Sequence, residues 1–283
     1  MKDARKDLHR EIRTLLEDEY GLRPSVSRAA KIGSGLRRGR DVIIENGVEL
    51  GDGVQLGHRV SLRNCRVGDG VRIEDDCIIG YANLTGGFSH RFEERHVIVP
   101  THIGAGTLVR SGAVIYQSVT VGENCWINHR VVLREHTRIG DHSCIGTMSD
   151  SEGYNSIGSH VLIHSQVFLC SRLTIEDYVF VAPHTSFTDG NPMNFAREVS
   201  SPEAGPVIRF GTQIGTNAVI LPRVTVGCEA LIGASAVVTK DVPPLSLVTG
   251  LPGKVVGRVP EHLRMPEALR RHYYGGRADP EGI

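Results

Sequence analysis

The chain has 283 residues, and its 32 Lys and Arg residues balance 32 Asp and Glu residues, so its formal net charge is zero. A protein without excess positive charge is not expected to take nucleic acid as its main partner. No apolar run approaches the roughly 20 residues that cross a bilayer, and the N-terminus lacks the apolar core of a signal peptide, so we expect a cytoplasmic protein without a membrane partner.

The first predicted element is an amphipathic helix over residues 5 to 20. Its apolar residues, which recur at helical spacing, are Leu8, Ile12, Leu15 and Leu16. Charged residues lie between them. The repeat that follows would have an open end, and an unpaired strand edge has to be covered. We therefore predict that residues 1–42 form a helical cap and a linker.

From residue 44 onward an aliphatic residue recurs every six positions. The series runs Ile44, Leu50, Leu56, Leu62, then Val67, Ile73, Ile79, then in steps of six from Ile103 to Val181, and finally from Ile208 to Val238. Ser151 is the polar exception in the middle stretch, and the step from Leu62 to Val67 is one position short. A small or β-branched residue follows four places after most of the aliphatic residues, which gives each hexad two inward positions.

A period of six fits neither a helix nor a simple strand, and it is typical of a parallel β-helix. Each hexad would supply one short strand and one corner, and three hexads would close a triangular coil. Residues three hexads apart would then stack at the strand spacing of about 4.8 Å. We predict an all-β fold in which residues 43–258 form the β-helix, with one residue missing from a corner near Asn64 and Cys65.

Two segments interrupt the repeat, and we predict that both are loops. The first spans residues 80–96 and contains His90 and Arg91; the second spans residues 188–207 and contains Thr188, Asp189 and Asn191. The separation of Ile79 and Phe187 in the sequence equals six full coils, so both loops should leave the same face, six coils apart if no coil is lost. Loops on a rigid scaffold often carry function, so these five residues are candidate substrate-binding residues.

The end of the chain departs from the repeat. Pro243 and Pro244 should end the regular coil, and residues 259–283 form a predicted tail with a short helix that contains Leu263, Ala268 and Leu269. The six cysteines form no Cys-x-x-Cys pair. Cys77 and Cys125 occupy inward positions of the repeat, which indicates buried thiols rather than a metal or redox site.

Residues 208–258 resemble the C-terminal part of hexapeptide-repeat acyltransferases. The similar segments are Ile232–Pro244, read as Ile-Gly-Ala-Ser-Ala-Val-Val-Thr-Lys-Asp-Val-Pro-Pro, and Gly250–Lys254. Family members usually have Asn-Pro-Ala-Lys where this chain has Leu-Pro-Gly-Lys. Upstream, Phe187–Pro192 is similar to the start of the loop in bacterial sugar N-acetyltransferases, with Asp189 where those proteins usually have Asn.

The resemblance implies a left-handed β-helix, a handedness that the hexads alone do not determine. It also implies a homotrimer, with acetyl-CoA as donor in the groove between neighbouring prisms. The implied acceptor is a small molecule, and the first choice is the amino group of a nucleotide-linked amino sugar. Two alternatives stay open: acetylation of a sugar or metabolite hydroxyl, and a metal-dependent hydratase or non-enzymatic scaffold.

Acyl transfer needs a base for the attacking group, and histidine is the usual choice. His129 is the first candidate, because the run from Ile127 to Glu135 resembles a segment of the sugar acetyltransferases, and its hexad position predicts an outward side chain on a strand. Glu135 is a weak candidate as its partner, since it lies on the next face and could pair with Arg134 or Arg138. His184 is the second candidate base. Asn191 stands where galactoside-type relatives have histidine, which counts against that subgroup.

Further candidates concern substrate and donor binding. Asp189 could bind the acceptor's amino group, or it could cap a turn with Gly190. Lys240, Lys254 and Arg258 match the family's C-terminal region and could bind the CoA phosphates, and Ala234 lies where relatives present backbone amides to the pantetheine arm. His142 and His160 are one full coil apart in the sequence and should stack on adjacent coils. We expect a surface pair there and no metal site.

Overall fold

The computed structural model describes residues 25–81, 99–190 and 204–275. The predicted N-terminal helix and the candidates His90, Arg91 and Asn191 lie outside these residues. Within them each hexad forms a short strand followed by a two-residue turn, as the repeat predicts. The strands stack into three parallel sheets that form the sides of a triangular prism, consistent with the left-handed β-helix that the resemblance implies.

The strands are assigned here to sheets 1, 2 and 3 in the order in which the chain visits them. Sheet 1 contains Lys31–Ile32, Glu49–Leu50, Cys65–Val67, Thr101–Ile103, Thr120–Val121, Arg138–Ile139, Ser156–Ile157, Thr174–Ile175, Val207–Ile208 and Thr225–Val226. Sheet 2 contains Arg37–Arg38, Gln55–Leu56, Arg72–Ile73, Leu108–Val109, Trp126–Ile127, Cys144–Ile145, Leu162–Ile163, Phe180–Val181, Gln213–Ile214, Leu231–Ile232, Ser246–Thr249 and Lys254–Arg258. Sheet 3 contains Ile43–Ile44, Ser61–Leu62, Ile78–Tyr81, Val114–Tyr116, Val132–Leu133, Asp150–Ser151, Phe168–Leu169, Ser186–Phe187, Val219–Ile220 and Val237–Val238.

The aliphatic residue of each hexad points into the prism, and a small residue fills the space beside it. Ile127, for example, pairs with Ile145 one coil later, and both side chains are fully buried. Cys77 and Cys125 are buried as predicted, and burial raises the pKa of the Cys77 thiol to about 11. Ser151 fits the apolar interior because its hydroxyl bonds to Thr137 Oγ1 at 2.8 Å and accepts from Asn155 Nδ2 at 3.0 Å.

The coils differ from the prediction in number. Strands Lys31–Ile32 and Arg37–Arg38 already belong to the stack, ahead of the predicted start at residue 43. Ile79 pairs directly with Ile115, so no coil forms between them. Both predicted loops therefore leave sheet 3, as expected, but five coils apart rather than six. The missing corner residue lies at Asn64, whose φ is +35°.

The C-terminal end adds a hairpin and a helix. After the two prolines Ser246–Thr249 still pairs in parallel with sheet 2, and Lys254–Arg258 returns antiparallel to it, so the prolines do not end the sheet. A 3₁₀ turn at Glu261–Leu263 leads to helix α1, Glu267–Tyr274. Among the described residues, no helix has the length and apolar character that crossing a bilayer requires.

The predicted short C-terminal helix is present, and a buried ion pair and ring stacking hold it to the prism. Leu263 is exposed, whereas Arg270 is buried and its Nε donates to Glu229 Oε1 at 2.8 Å. The Tyr273 ring stacks on Phe210 with 3.6 Å between centroids.

Candidate functional site

The three corners of the prism separate the candidate residues. Corner 1–2 joins sheets 1 and 2, corner 2–3 joins sheets 2 and 3, and corner 3–1 joins sheet 3 to sheet 1 of the next coil. Most corners are turns whose second residue has φ near +60°, including many residues other than glycine. Side chains at one corner repeat once per coil, so they form columns along the prism.

The two predicted bases share corner 2–3. His129 and His184 are both exposed turn residues, three coils apart. His129 therefore does not project from a strand as predicted, because strand Trp126–Ile127 ends two residues before it. Its carbonyl oxygen accepts the Met148 N–H at 2.9 Å, which fixes the corner but leaves the imidazole on the outside.

Both interruptions of the repeat leave corner 3–1, at the opposite edge of sheet 3 from His129 and His184. The structure describes the chain up to Tyr81 before the first and up to Gly190 before the second. Thr188 lies at the end of its strand and donates from Oγ1 to the Ile220 carbonyl at 3.2 Å. Within one chain, then, the candidate bases do not meet Thr188 and Asp189, the two candidate substrate-binding residues that the structure describes.

Asp189 bonds to the turn of the preceding coil, whereas the capping role predicted for it was in its own turn with Gly190. Its Oδ2 accepts the Ser171 N–H at 3.1 Å. Asp141 accepts the Glu123 N–H in the same way, at 2.8 Å, so this contact belongs to the construction of the corners. The other role, binding of the acceptor's amino group, stays a prediction.

Glu135 lies on corner 3–1 and not beside His129. Its Oε2 accepts from Arg134 Nε at 3.3 Å, and Arg134 Nη1 is 3.9 Å from Glu152 Oε2. The pairing with Arg134 was one of the alternatives that the sequence left open. The result is a charged strip along the edge of sheet 3, with one guanidinium between two carboxylates.

Two titratable groups beside this strip are partly withdrawn from water. Burial raises the pKa of Asp150, an effect that the nearby Arg134 charge partly offsets. The Asp150 Oδ1 atom is buried and has no hydrogen-bond partner. Burial also raises the pKa of Tyr116, and the Glu135 charge adds to the shift. Both side chains lie on the outer face of sheet 3, where a ligand or another copy could cover them.

Corner 1–2 carries the predicted histidine stack. The His142 and His160 rings are 5.0 Å apart and nearly parallel at 13°, and the Tyr178 ring continues the stack 4.6 Å from His160. No group of three His, Cys, Asp or Glu side chains suited to a metal ion occurs among the described residues.

The predicted donor-binding residues lie near the C-terminal end of the prism but on different edges. Ala234 is exposed on corner 2–3, Lys240 is exposed on corner 3–1, and Lys254 and Arg258 lie on the last strand of sheet 2.

A shallow groove of about 360 Å³ on sheet 2 contains none of the candidate residues. It lies near the other end of the prism and is lined by Gln55, Arg72, Glu74 and Ser111, among others.

The structure also reveals a column of residues that are not among the candidates predicted from the sequence. On corner 3–1 the His136 ring packs 4.7 Å from the Tyr154 ring, and the Arg172 guanidinium carbon lies 5.3 Å from the centre of that ring. Each of these residues is one coil from the next, the same spacing that identified His142 and His160. The signal for this column is therefore present in the sequence.

The outer faces of the three sheets differ in polarity. Sheet 2 presents Leu108, Trp126, Leu162 and Phe180, with Trp126 56% exposed, and sheet 3 presents Val114, Val132, Phe168 and Val219. Sheet 1 presents Lys31, Glu49, Arg66, His102, Thr120 and Arg138. Sheet 2 also presents Arg37, Gln55 and Arg72 in its first coils, and sheet 3 presents Asp150, so the two faces that meet at corner 2–3 are mainly apolar from the coil of Leu108 onward. The third face is polar.

Comparison with known proteins shows what the repeat is similar to. The family described as bacterial transferase hexapeptide (six repeats) matches residues 118–149. A Staphylococcus aureus protein named as a candidate acetyltransferase is 43% identical over 79 residues, and the match covers 27% of this chain and 40% of that protein. The galactoside O-acetyltransferase of Escherichia coli is 28% identical over 166 residues, which cover 55% of this chain and 68% of that enzyme.

Solved structures include a hexapeptide-repeat acetyltransferase of Vibrio cholerae. It is 30% identical, with 44% of this chain and 74% of that chain covered and a TM-score of 0.38. The same Vibrio protein has been solved in complex with acetyl-coenzyme A, in a match that is 23% identical, covers 56% of this chain and 72% of that chain, and has a TM-score of 0.34. The chain spans about two fifths of the length of the staphylococcal relative.

Proposed function

The chain belongs to the hexapeptide-repeat acyltransferases, and we propose that it is itself a CoA-dependent acyltransferase with acetyl-CoA as donor. The observation that carries the proposal is the hexapeptide repeat, which matches a transferase family and folds into a prism. The interior of the prism is filled with aliphatic side chains, so its ligands have to bind on the outside. We place the reaction in the cytoplasm, which cell fractionation tests.

The proposed assembly is a homotrimer in which sheet 2 of one copy packs against sheet 3 of the next. Each prism has two apolar faces, and one heterologous contact repeated around a three-fold axis covers both of them. Sheet 1, with its charged residues, stays in water. The apolar faces share corner 2–3, so in this arrangement that corner points to the axis, and the other two corners point outward.

A cleft for the donor then opens outward between corner 3–1 of one copy and corner 1–2 of its neighbour. Lys240, Lys254 and Arg258 would bind the CoA phosphates, for which cationic side chains are suited. The family resemblance also implies that the backbone at Ala234 offers amides to the pantetheine arm, but Ala234 lies on corner 2–3, which this assembly turns toward the axis, so that role and this assembly are alternatives.

The proposed acceptor is the amino group of a nucleotide-linked amino sugar. Oδ2 of Asp189 accepts a hydrogen bond from the Ser171 N–H. We assign the binding of the acceptor's amino group to the other carboxylate oxygen. Thr188, Asn191, His90 and Arg91 are the remaining proposed substrate-binding residues. An amine attacks only when it is neutral, so the rate should rise with pH through the apparent pKa of the base or of the amine.

The base proposed from the sequence is His129, with His184 as the second candidate and Glu135 as a weak partner. A trimer built on sheets 2 and 3 brings both histidines toward the axis, because they lie on corner 2–3. The assignment therefore has to be tested against imidazoles on the outward corners.

The second candidate function is acetylation of a hydroxyl group. It is favoured by the match to the galactoside O-acetyltransferase, which covers 68% of that enzyme. The two functions differ in the nucleophile alone, so one product analysis separates them.

The deciding experiment combines binding and product analysis. Calorimetry should detect binding of acetyl-CoA, and mass spectrometry should detect N-acetylated products when the protein is given acetyl-CoA and a panel of nucleotide-linked amino sugars. O-acetylated products alone would select the second function. A protein that binds no CoA species would be a scaffold or a hydratase instead. The variant His129→Ala, assayed on the same acceptor, tests the base predicted from the sequence.

A further inference from the structure

Corner 3–1 holds one imidazole among the described residues, and its surroundings suit proton transfer. It belongs to His136, a half-buried turn residue with φ of +60°. The other described histidines lie on corners 1–2 and 2–3, on strands, or in the C-terminal segment. His136 therefore shares an edge of the prism with both interruptions of the repeat.

His136 lies between these two interruptions along the prism. Counting strands of sheet 3, its coil comes two after the coil of Tyr81 and three before the coil of Gly190. At about 4.8 Å per strand it is roughly 10 Å from the first and 14 Å from the second. A molecule lying along this corner between Tyr81 and Gly190 would therefore cross the imidazole.

The orientation of the ring is fixed by its column. One face of His136 packs on Tyr154 at 4.7 Å, and Tyr154 in turn packs under the Arg172 guanidinium at 5.3 Å. The two backbones are joined by the Tyr154 N–H, which donates to the Glu135 carbonyl at 2.8 Å. Stacking occupies a face of the imidazole, and the nitrogens that exchange a proton lie in the plane of the ring.

The neighbouring charges suit a polar acceptor. Glu135 and Glu152 flank Arg134 on the adjoining edge of sheet 3, and they offer acceptors for sugar hydroxyl or amino groups. Arg172 is exposed and supplies positive charge for a phosphate. An acceptor with both a sugar and a phosphate could therefore contact the two groups while spanning His136.

We propose that His136 is the general base of the acyl transfer, an inference that rests on the proposed function but replaces Asp189, which lies three coils away, as the partner of the reacting amino group. As the acceptor nitrogen attacks the thioester carbonyl carbon, the imidazole takes one N–H proton. The C–S bond then breaks, and its electron pair leaves on the sulfur of CoA. The imidazolium returns the proton to that thiolate, so the products are the amide and free CoA. In the proposed trimer this residue lies at the outward cleft, where His129 does not.

The first test needs no knowledge of the acceptor. Bromoacetyl-CoA carries an electrophilic carbon beside the position of the reacting carbonyl, and it alkylates a nucleophile held there. Peptide mapping by mass spectrometry should find the label on His136, and free CoA should protect against it. Labelling of His129 or His184, or no histidine labelling although calorimetry detects CoA binding, would overturn the proposal. Absence of CoA binding would reject the proposed function itself.

The second test uses the acceptor found in the product screen. His136→Gln should lower kcat by about 10²- to 10⁴-fold, the usual contribution of a general base, with little change in the KM for acetyl-CoA and in the melting temperature. The rise of kcat with pH that belongs to the base should disappear. His102→Gln, on the polar face of sheet 1, is the matched control and should keep wild-type kinetics. Wild-type kcat in His136→Gln with lost activity in His129→Ala would return the base to corner 2–3.

Discussion

Trp126 offers a direct test of the proposed trimer, because it is the most exposed aromatic side chain on sheet 2. It is 56% exposed in the single chain. Of the roughly 250 Å² that a tryptophan offers, about 140 Å² is then free to be covered by sheet 3 of a neighbour. At about 25 cal/mol per Å² this burial stabilises each of the three interfaces by about 3.5 kcal/mol.

The variant Trp126→Glu removes this contribution and adds a carboxylate to an apolar interface. Losing about 3.5 kcal/mol alone weakens one interface by a factor of several hundred, and an unpaired buried charge costs several kcal/mol more. We expect sedimentation equilibrium at micromolar concentration to show a trimer for the wild type and a monomer for the variant. The matched control is Thr120→Glu, an exposed residue at the equivalent strand position on sheet 1, which should remain trimeric.

The fold of the separated chain should be unaffected, since both positions are on the outside of the prism. The circular dichroism spectra of the two variants should therefore agree with that of the wild type. A trimer that survives Trp126→Glu but dissociates with Thr120→Glu would place sheet 1 in the interface. That outcome would refute both the assembly and the location of the cleft derived from it.

Three further substitutions test the physical account of the fold. Arg270→Ala should destabilise the docking of α1 by about 3–5 kcal/mol by leaving the Glu229 charge buried, and denaturant unfolding with limited proteolysis should detect it; removing both charges together should recover most of the loss. Asp150→Asn should raise the melting temperature at pH 7, because a raised carboxyl pKa in the folded state means that the ionised form is penalised above that pKa. The increase in melting temperature should shrink as the pH falls toward the pKa of the carboxyl in the unfolded state. An increase that stays the same at all pH values would contradict the raised pKa of Asp150. Ser151→Val restores the hydrophobic repeat but leaves the Asn155 amide without its 3.0 Å partner, so we expect a loss of about 1–3 kcal/mol in thermal or denaturant unfolding.

The period of six was sufficient to predict the prism, its three sheets and the side from which the two segments leave. The period also predicted local defects correctly, such as the residue missing beside Asn64. It left open the distance between Ile79 and Phe187, which is six coils only if no coil is lost, because a segment as long as one coil spans the same stretch of sequence whether it folds as a coil or as an insertion. Only the pairing of Ile79 with Ile115 decides between them.

The docking of the last helix could not have been read from the sequence. The sequence indicated a short helix but not its contacts, and these include the ion pair of Arg270 with Glu229, 41 residues away. A glutamate that is 1% exposed looks like an ordinary surface charge in the sequence. Pairs of this kind depend on where the chain turns back after its last strand, and the repeat contains no information about that point.

The candidate bases show a different limit. His129 was selected by its resemblance to a family segment, and the hexad position of a residue does not say which corner of the prism will face a partner. Which corner faces a partner depends on the polarity of the outer faces of whole sheets, and a single motif gives no information about that polarity. Once corner 2–3 is recognised as the edge shared by two apolar faces, the outward corners become the places to look for chemistry.

The geometry of a prism also restricts how donor and acceptor can lie. His136 and Lys240 are on the same corner, and five strand intervals separate their coils, or roughly 24 Å at the usual spacing. If Lys240 binds the CoA phosphates and His136 serves the thioester, the pantetheine arm has to run extended along corner 3–1, past the coil of Asp189. The acceptor is then confined to the part of the corner beyond the thioester, from His136 toward Tyr81, and Asp189 and Arg172 would contact the donor rather than the acceptor. A pantetheine arm that lay across the prism would reach His129 instead. The direction of the bound donor therefore determines which histidine can act as the base.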